Sequence, residues 1–177
     1  SASEGVLVYV VWRLAVKKYG LGWDALGFRR PRTRRNAALV AATIVGSLIL
    51  TGIYAAIVTQ LDIEILIPKP LPENLLGGGT FDRLLTAVAI AGLVPFVEEI
   101  FFRGFLFQGL ASRYGSIWGA VFSAAVFAVA HLSSGTMIPI FLIGLLFAAL
   151  YAKTRSVWMP MSAHVIQNLA ALTLAGG

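Results

Sequence analysis

The amino-acid sequence predicts an all-α fold, a polytopic integral membrane bundle of about six transmembrane helices. The first observation behind this prediction is composition. Hydrophobic residues make up 58% of the 177 residues and charged residues only 12%, and the mean hydropathy is +0.84. A soluble domain of this length does not need so much apolar surface. The second observation is that long apolar stretches alternate with short polar turns, as consecutive spanning helices do.

The N-terminal part combines a short apolar stretch, a basic segment and one clear spanning helix. Residues 5–16 are apolar but contain Arg13. At ~1.5 Å per residue they are too short to cross an ~30 Å hydrocarbon core, so we expect a shortened or interfacial helix. Residues 37–59 form the first clear spanning helix. The segment 17–35 carries Asp24 and seven basic residues: Lys17, Lys18, Arg29, Arg30, Arg32, Arg34 and Arg35.

The rest of the chain alternates loops and apolar helices. Residues 60–80 form a slightly acidic loop that contains prolines and glycines. A long apolar stretch follows over 81–111, and Pro95 is expected to kink it. Further helices are predicted over 116–132, 137–152 and 157–174, separated by turns at Gly115, at Ser134-Gly135 and at Thr154-Arg155-Ser156.

The distribution of charge predicts the topology. If each helix crosses once, the basic segment 17–35, Arg113 and the Lys153–Arg155 turn fall on one side, and the loops 60–80 and 133–136 fall on the other. The positive-inside rule makes the first side cytoplasmic, in a multi-pass protein of the plasma membrane. Four tryptophans lie near that same side: Trp12, Trp23, Trp118 and Trp158. The basic charge is therefore explained by topology and anionic lipid, and no nucleic-acid partner is expected.

Ionisable and polar side chains within the apolar stretches are the candidates for function. Each charged group at the bilayer centre costs about 2.5–3.5 kcal/mol, so it needs a partner and usually marks function. The set comprises Glu98, Glu99, Arg103, His131, His164 and Asn168. The chain has no cysteine, which excludes disulfides and a cysteine nucleophile. There is no His-Glu-x-x-His or Gly-x-Ser-x-Gly motif, and no aspartate lies within a spanning core, which excludes an aspartyl dyad.

The glutamate pair offers two different roles. Glu99 and Arg103 are four residues apart, so they share a helix face and can form an ion pair that holds helices together. Glu98 is rotated by about 100° from Glu99 and lies off that face. An intramembrane carboxylate that its own helix does not obviously compensate is a candidate general base.

The two histidines lie in later helices. His164 and Asn168 are four residues apart and face the same way, so Asn168 could orient His164, or both could donate to a developing oxyanion. The alternative is interhelical hydrogen bonding, a common use of polar residues in membranes. Counting ~1.5 Å per residue, Glu98, His131 and His164 coincide in depth if the helices 81–111 and 116–132 project about 10 Å beyond the start of the last helix.

These residues resemble the three motifs of the CPBP intramembrane proteases. This CAAX-protease and bacteriocin-processing group is also called the Abi family and includes the type II CAAX prenyl endopeptidases. The motifs are Glu98-Glu99-Ile-Phe-Phe-Arg103-Gly104, Phe127-x-x-x-His131 and His164-x-x-x-Asn168. The resemblance covers roughly 81–172, and a weaker similarity lies in the Leu-Gly-Phe-Arg at 26–29. We expect one membrane-embedded domain over 1–177, with the N-terminal helices and basic loop in 1–80 and a catalytic core in 81–172.

The resemblance implies an intramembrane endopeptidase acting on a membrane-associated or CAAX-like protein or peptide at the lipid bilayer. Glu98 would activate water with His131, while His164 and Asn168 would stabilise the oxyanion and Glu99 and Arg103 would support the site. The family is commonly described as zinc metalloproteases, which would make Glu98, His131 and His164 the Zn²⁺ ligands. A metal-free, glutamate-dependent mechanism is the competing account, and residue types do not choose between them.

Two alternatives belong to other classes. One is a non-catalytic membrane partner, such as a bacteriocin self-immunity or sensor-interacting protein on the same scaffold. The other is a transporter with a Glu/His proton relay, which is disfavoured because no pair of broken helices recurs in the two halves.

Overall fold

The computed structural model describes residues 2–18, 20, 22–29, 33–69 and 78–175, and these residues form helices joined by short turns. The helices are α1 (Ala2–Val11), α2 (Thr33–Gln60), α3 (Thr80–Val88), α4 (Val94–Glu99), α5 (Gln108–Ala130), α6 (Ser134–Thr154) and α7 (Trp158–Ala175). π-Helical segments continue α1 over Trp12–Lys18 and connect α3 to α4 and α4 to α5 over Ala89–Leu93 and Ile100–Phe107. The described residues contain no strand, which confirms the predicted all-α class.

Three of the described helices are long and apolar enough to cross a bilayer: Arg35–Gln60, Thr80–Ala130 and Ser134–Thr154. They correspond to the predicted helix 37–59, to the two predicted helices on either side of Gly115, and to 137–152. The chain is therefore a helical membrane protein, as predicted. The expected number of about six crossing helices stays a prediction.

The continuous stretch Thr80–Ala130 reverses direction at Gly115, as the sequence predicts. Gly115 has φ 82° and ψ 161°, which is not a helical conformation. A Cβ atom added to Gly119 would lie 2.8 Å from the backbone of Ala111. These two positions would be about 12 Å apart in a straight helix, so the segments before and after Gly115 pack against each other as antiparallel rods.

The turns between the last helices differ slightly from the prediction. Ser134 and Gly135 begin α6 rather than form the preceding turn, which comprises His131, Leu132 and Ser133. Ser133 is extended, with φ −127° and ψ 114°, and caps the helix that begins directly after it. The first turn of α6 packs closely against residue 67, because a Cβ atom on Gly135 would lie 2.5 Å from the carbonyl oxygen of Ile67. The turn between α6 and α7 lies at Arg155 as predicted, and Arg155 adopts the left-handed conformation with φ 54°.

The segment 22–29 packs between the helices at the end of the bundle where α7 begins. The Gly27 carbonyl accepts a hydrogen bond from the Val157 amide at 2.9 Å, and the Ala25 carbonyl accepts one from the Gln108 side chain at 2.7 Å. The start of α7 is therefore level with Gln108. From Gln108 the helix continues for about 10 Å to the turn at Gly115. This length agrees with the predicted extension of the helices 81–111 and 116–132 beyond the start of the last helix. The rest of the predicted loop 60–80, over 70–77, and residues 30–32 lie outside the described residues.

The local structure around Pro95 differs from a simple kink. Pro95 lies at the beginning of α4, directly after the π-helical turn Ala89–Leu93. In that turn the Val94 amide bonds to the Ala89 carbonyl, five residues back. In the same five-residue pattern, the Ile90 carbonyl would accept a hydrogen bond from the amide of residue 95. That residue is Pro95, which has no amide hydrogen. The carbonyl of Ile90 is thereby left for a partner from another helix.

Candidate active site

Glu99 and Arg103 form the buried centre of the predicted site. Arg103 Nη1 lies 2.8 Å from Glu99 Oε1, and the two side chains are 1% and 0% exposed. Arg103 Nη2 donates to the carbonyl oxygen of Gly144 on α6 at 3.3 Å. The pairing predicted from their spacing of four residues is confirmed, and it also links the π-helical segment Ile100–Phe107 to α6.

Aromatic rings enclose the guanidinium group. Arg103 Cζ lies 4.5 Å from the ring centroid of Phe127 and 5.2 Å from that of Phe147. The ring centroid of Phe102 lies 5.9 Å from Arg103 Cζ. A cation gains electrostatic stabilisation from ring faces when water is excluded. Arg103 is thus held by one carboxylate, one carbonyl and three rings.

His164 on α7 contacts both glutamates. Its Nδ1 lies 3.0 Å from Glu99 Oε1, and its Nε2 lies 3.8 Å from Glu98 Oε2. Because the Glu99 carboxylate is paired with Arg103, it accepts the hydrogen bond and Nδ1 of His164 carries the hydrogen. Nε2 therefore faces Glu98. The structure brings together Glu98, Glu99, Arg103 and His164, which come from two separate parts of the chain.

His131 lies at the end of α5, one turn beyond Phe127. Its Nδ1 lies 2.8 Å from the Phe127 carbonyl oxygen, so Nδ1–H donates and Nε2 keeps its lone pair. The Phe127 ring contacts both imidazoles edge-on, with centroid distances of 4.7 Å to His131 and 6.0 Å to His164. His131 is exposed, whereas His164 is 7% exposed.

Asn168 reaches across to the π-helical turn that precedes Pro95. Its Nδ2 donates to the Ile90 carbonyl oxygen at 2.9 Å, the acceptor that Pro95 leaves without a partner in that register. The Asn side-chain amide has two hydrogens. One is used to orient the group, and the other remains for a second acceptor. Asn168 does not orient His164 through a hydrogen bond, since Glu99 holds that ring.

A cavity of about 360 Å³ lies beside these groups, between α2, α5, α6 and α7. The candidate residues His131, His164 and Asn168 line it together with apolar side chains of α6 and α7. Polar residues that were not among the candidates also line it: Ser47, Thr51 and Gln167. Gln167 donates a hydrogen bond to the buried Ser47 hydroxyl, which in turn donates to the Ile44 carbonyl oxygen at 2.7 Å.

The residues of the described part do not gather into a metal-binding cluster. No group of three or more histidine, aspartate and glutamate side chains there is arranged to hold a metal ion. Of the three predicted ligands, Glu98 and His164 lie close together. His131 is connected to His164 only through the Phe127 ring, which contacts both imidazoles. The ligand set Glu98, His131 and His164 therefore stays a prediction, and no catalytic step is derived through a metal.

Several groups that hold the site could not be predicted from the sequence. The Gly144 and Ile90 carbonyls carry no side-chain signal. Phe147 is one apolar residue among many in α6. Phe127 was present in the motif ending at His131, but its contact with Arg103 depends on how α5 packs against the preceding rod. Gln167 directly precedes Asn168 in the sequence. This second amide in an apolar helix was the feature that could have indicated its place in the cavity lining.

Comparison with known proteins assigns the chain to a family. Residues 80–170 match the family described as type II CAAX prenyl endopeptidase Rce1-like. The chain belongs to this family, so the resemblance inferred from the three motifs is confirmed. The matched range contains all six candidate residues.

A curated relative supports the same class of membrane peptidase. The chain is 31% identical over 74 residues to the protein named "Putative membrane peptidase YdiL" of Bacillus subtilis (strain 168). The match covers 42% of this chain and 30% of YdiL. No solved structure matches the chain.

Proposed function

We propose that this protein is an intramembrane endopeptidase that hydrolyses a peptide bond of a membrane-associated protein, with Glu98 as the general base. The observation that carries the proposal is the meeting of Glu98 and His164 at 3.8 Å, beside a cavity that His131, His164 and Asn168 line. Family membership supports a protease at this site. CAAX-like tails are one substrate class that the family suggests.

Glu98 and His131 would handle the attacking water. Glu98 accepts a proton as the water oxygen bonds to the scissile carbonyl carbon, and it later returns that proton to the departing amine nitrogen as the C–N bond breaks. To hold this water, His131 would use Nε2, because its Nδ1 hydrogen is bonded to the Phe127 carbonyl oxygen. The Glu98 side chain is only 15% exposed, and this partial burial strengthens its interactions with the water and the substrate.

His164 and Asn168 would stabilise the oxyanion. Asn168 donates its second amide hydrogen while Ile90 holds the first. His164 can donate from Nε2 only as the imidazolium, because Nδ1–H is bonded to Glu99. With a charged ring, the two cations His164 and Arg103 balance the two carboxylates. Glu99 and Arg103 act here as positioning residues.

Glu98→Gln tests this proposal directly. The amide keeps the shape of the side chain but cannot accept a proton, so general-base catalysis typically worth 10²–10⁴-fold is lost. New protein N-termini would be compared in membranes of cells that express the wild type, Glu98→Gln or the control Glu64→Gln, at matched expression. Cleavage products should appear with the wild type and with Glu64→Gln alone. Unchanged products with a folded Glu98→Gln protein would overturn the proposal in favour of a non-catalytic membrane partner.

Removing metal ions distinguishes a glutamate-dependent mechanism from a zinc-dependent one. A glutamate-dependent enzyme keeps its activity after dialysis against a chelator. A zinc enzyme loses activity and regains it when Zn²⁺ is added, because the ion lowers the pKa of bound water to about 7. We propose the glutamate-dependent version, since no three ligand side chains of the described residues converge.

For localisation we propose the plasma membrane, with the segments 17–35 and 153–155 in the cytoplasm. The charge distribution supports this orientation. Arg29, Arg35, Arg113, Lys153 and Arg155 are all exposed at one end of the bundle, where the positive-inside rule expects them.

A further inference from the structure

A second cavity lies on the other side of the chain segment that carries the glutamates. The ion cluster comprises Glu98, Glu99, Arg103 and His164. Val97 and Ile100 come from the same helical turns as the two glutamates, but they face a cavity of about 250 Å³. This cavity lies between the N-terminal helix, the segment 22–29 and α4, and it shares no lining residue with the cavity beside the ion cluster.

The N-terminal helix forms one wall of this second cavity. The wall residues recur at a helical spacing that places them on one side of the helix; they are Val8, Val11, Trp12 and Val16. Val8 and Trp12 are 59% and 48% exposed, and the lining residue Trp23 is 63% exposed. The cavity is therefore an apolar slot that reaches the surface of the bundle beside two tryptophan rings.

Basic side chains lie around the mouth of the slot. Lys17 Nζ lies 5.3 Å from the centroid of the Trp12 ring, so an ammonium group stands next to the lining. The exposed basic residues of the described segments 12–18 and 22–29 are Arg13, Lys17, Lys18 and Arg29, and the exposed acidic residue of these segments is Asp24. The charge at the mouth is therefore mainly positive.

An apolar slot with cations at its mouth matches the chemistry of an anionic phospholipid. An acyl chain fits the apolar lining, and phosphate oxygens accept hydrogen bonds from an ammonium group such as that of Lys17. Tryptophan rings are typical of the depth at which lipid headgroups lie. A zwitterionic headgroup would bring a second cation close to Lys17, so a headgroup with net negative charge is the better complement.

We propose that this cavity binds one acyl chain of an anionic phospholipid, and that Lys17 holds the lipid phosphate beside Trp12. The proposal does not depend on proteolysis. The bound chain would pack against Val97 and Ile100 and so support the helical turns that carry Glu98 and Glu99. Because such a lipid binds the folded protein, it should raise the thermal unfolding midpoint.

Thermal unfolding of the purified, delipidated protein tests this proposal. Phosphatidylglycerol or phosphatidylcholine with identical acyl chains would be added at increasing mole fractions to micelles of a neutral detergent. The midpoint should rise further with phosphatidylglycerol. Lys17→Gln should require about fivefold more of this lipid for half of the effect, because one lysine is removed from an anionic surface. Val8→Trp places a large ring in the slot and should abolish the difference between the two lipids.

The matched controls change the same residue types at exposed positions that do not line the slot. Arg113→Gln removes a cation, and Val45→Trp adds a ring on α2. Both controls should keep the wild-type preference for phosphatidylglycerol. Equal stabilisation of the wild type by the two lipids would overturn the proposal. So would an unchanged preference in either Lys17→Gln or Val8→Trp, since the site requires both the charge and the slot.

Native mass spectrometry of the same samples identifies the occupant. The wild type should retain one phosphatidylglycerol per chain, and Val8→Trp should lose it. Equal retention of phosphatidylcholine, or a lipid-free dimer that Val8→Trp dissociates, would overturn the proposal in favour of a neutral lipid or a second copy of the chain. The measurement is repeated with Glu98→Gln, because lipid binding needs no catalysis. Lipid binding without Glu98-dependent cleavage would overturn the proposed function and leave the lipid site standing.

Discussion

At the scale of single residues, Arg103 determines whether Glu99 can remain a buried carboxylate. Glu99 is fully buried, and Arg103 is its cationic partner at 2.8 Å. His164 depends on the same carboxylate through its Nδ1 hydrogen bond. Loss of the guanidinium would therefore leave a negative charge uncompensated and disturb the ring that faces Glu98.

We expect Arg103→Met to lower the free energy of unfolding by about 3–5 kcal/mol, because removing one partner of a buried pair strands the other. Unfolding in mixed micelles with rising SDS, followed by circular dichroism, would measure this change. The control is Arg113→Met at an exposed position, where the change should stay within about 0.5 kcal/mol. Equal unfolding midpoints for Arg103→Met and the wild type would contradict the assigned role.

At the scale of elements, the π-helical turn Ala89–Leu93 positions α7 through Asn168. Pro95 cannot donate to the Ile90 carbonyl, and Asn168 does so at 2.9 Å. The sequence shows the proline and the asparagine separately. The Ile90 carbonyl connects Asn168 with the turn before Pro95. This contact forms only because α7 packs beside that turn.

Pro95→Ala should reduce proteolysis while leaving the fold intact. The new amide hydrogen competes with Asn168 for Ile90, and loss of one oriented oxyanion donor costs up to about 10²–10³-fold in rate. The matched control is Pro139→Ala, since Pro139 lies inside α6 and does not line the cavity. Quantified cleavage products, normalised to monodisperse protein, would decide. Equal product yields for the two variants would count against this role of Pro95.

The antiparallel packing around Gly115 depends on a small side chain at Gly119. A larger residue there would collide with the Ala111 backbone, which would lie 2.8 Å from its Cβ atom. We expect Gly119→Val to destabilise the protein by about 1–3 kcal/mol through overpacking. Gly109→Val is the control, because no atom lies within 4 Å of a Cβ there. Detergent unfolding midpoints that drop equally in both variants would indicate a general helix-propensity effect instead.

At the scale of the whole molecule, the segment 22–29 packs against the helices at the end of the bundle where α7 begins. Gly27 has φ 89° and approaches the Tyr151 ring too closely for a side chain. Its carbonyl also holds the Val157 amide where α7 begins. The N-terminal part of the chain thereby fixes the position of the helix that carries His164 and Asn168.

Gly27→Ala should lower both stability and proteolysis. The positive φ alone costs roughly 1 kcal/mol for a residue with a Cβ atom, and the clash with Tyr151 adds to it. Gly22→Ala provides the comparison, since Gly22 has open space around it. Thermal unfolding of purified protein and the yield of Glu98-dependent products would both be measured. Wild-type values for Gly27→Ala in both assays would show that the segment is not needed to position α7.

The sequence by itself determined the membrane class, the main helices, the reversal at Gly115 and the pairing of Glu99 with Arg103. These features follow from local patterns: runs of apolar residues long enough to span a bilayer, a glycine between them, and a spacing of four residues on a helix. The three motifs also identified the family, because they keep residue type, spacing and order over residues 98–168.

Only the tertiary structure decided which groups from different helices contact one another. It placed Nδ1 of His164 on Glu99 and its Nε2 towards Glu98, and it gave Asn168 the carbonyl of Ile90 as a partner. It also placed His131, His164 and Asn168 around one cavity beside the ion cluster. Such contacts join residues about 65–80 positions apart, and they depend on helix rotation and depth, which hydropathy does not specify.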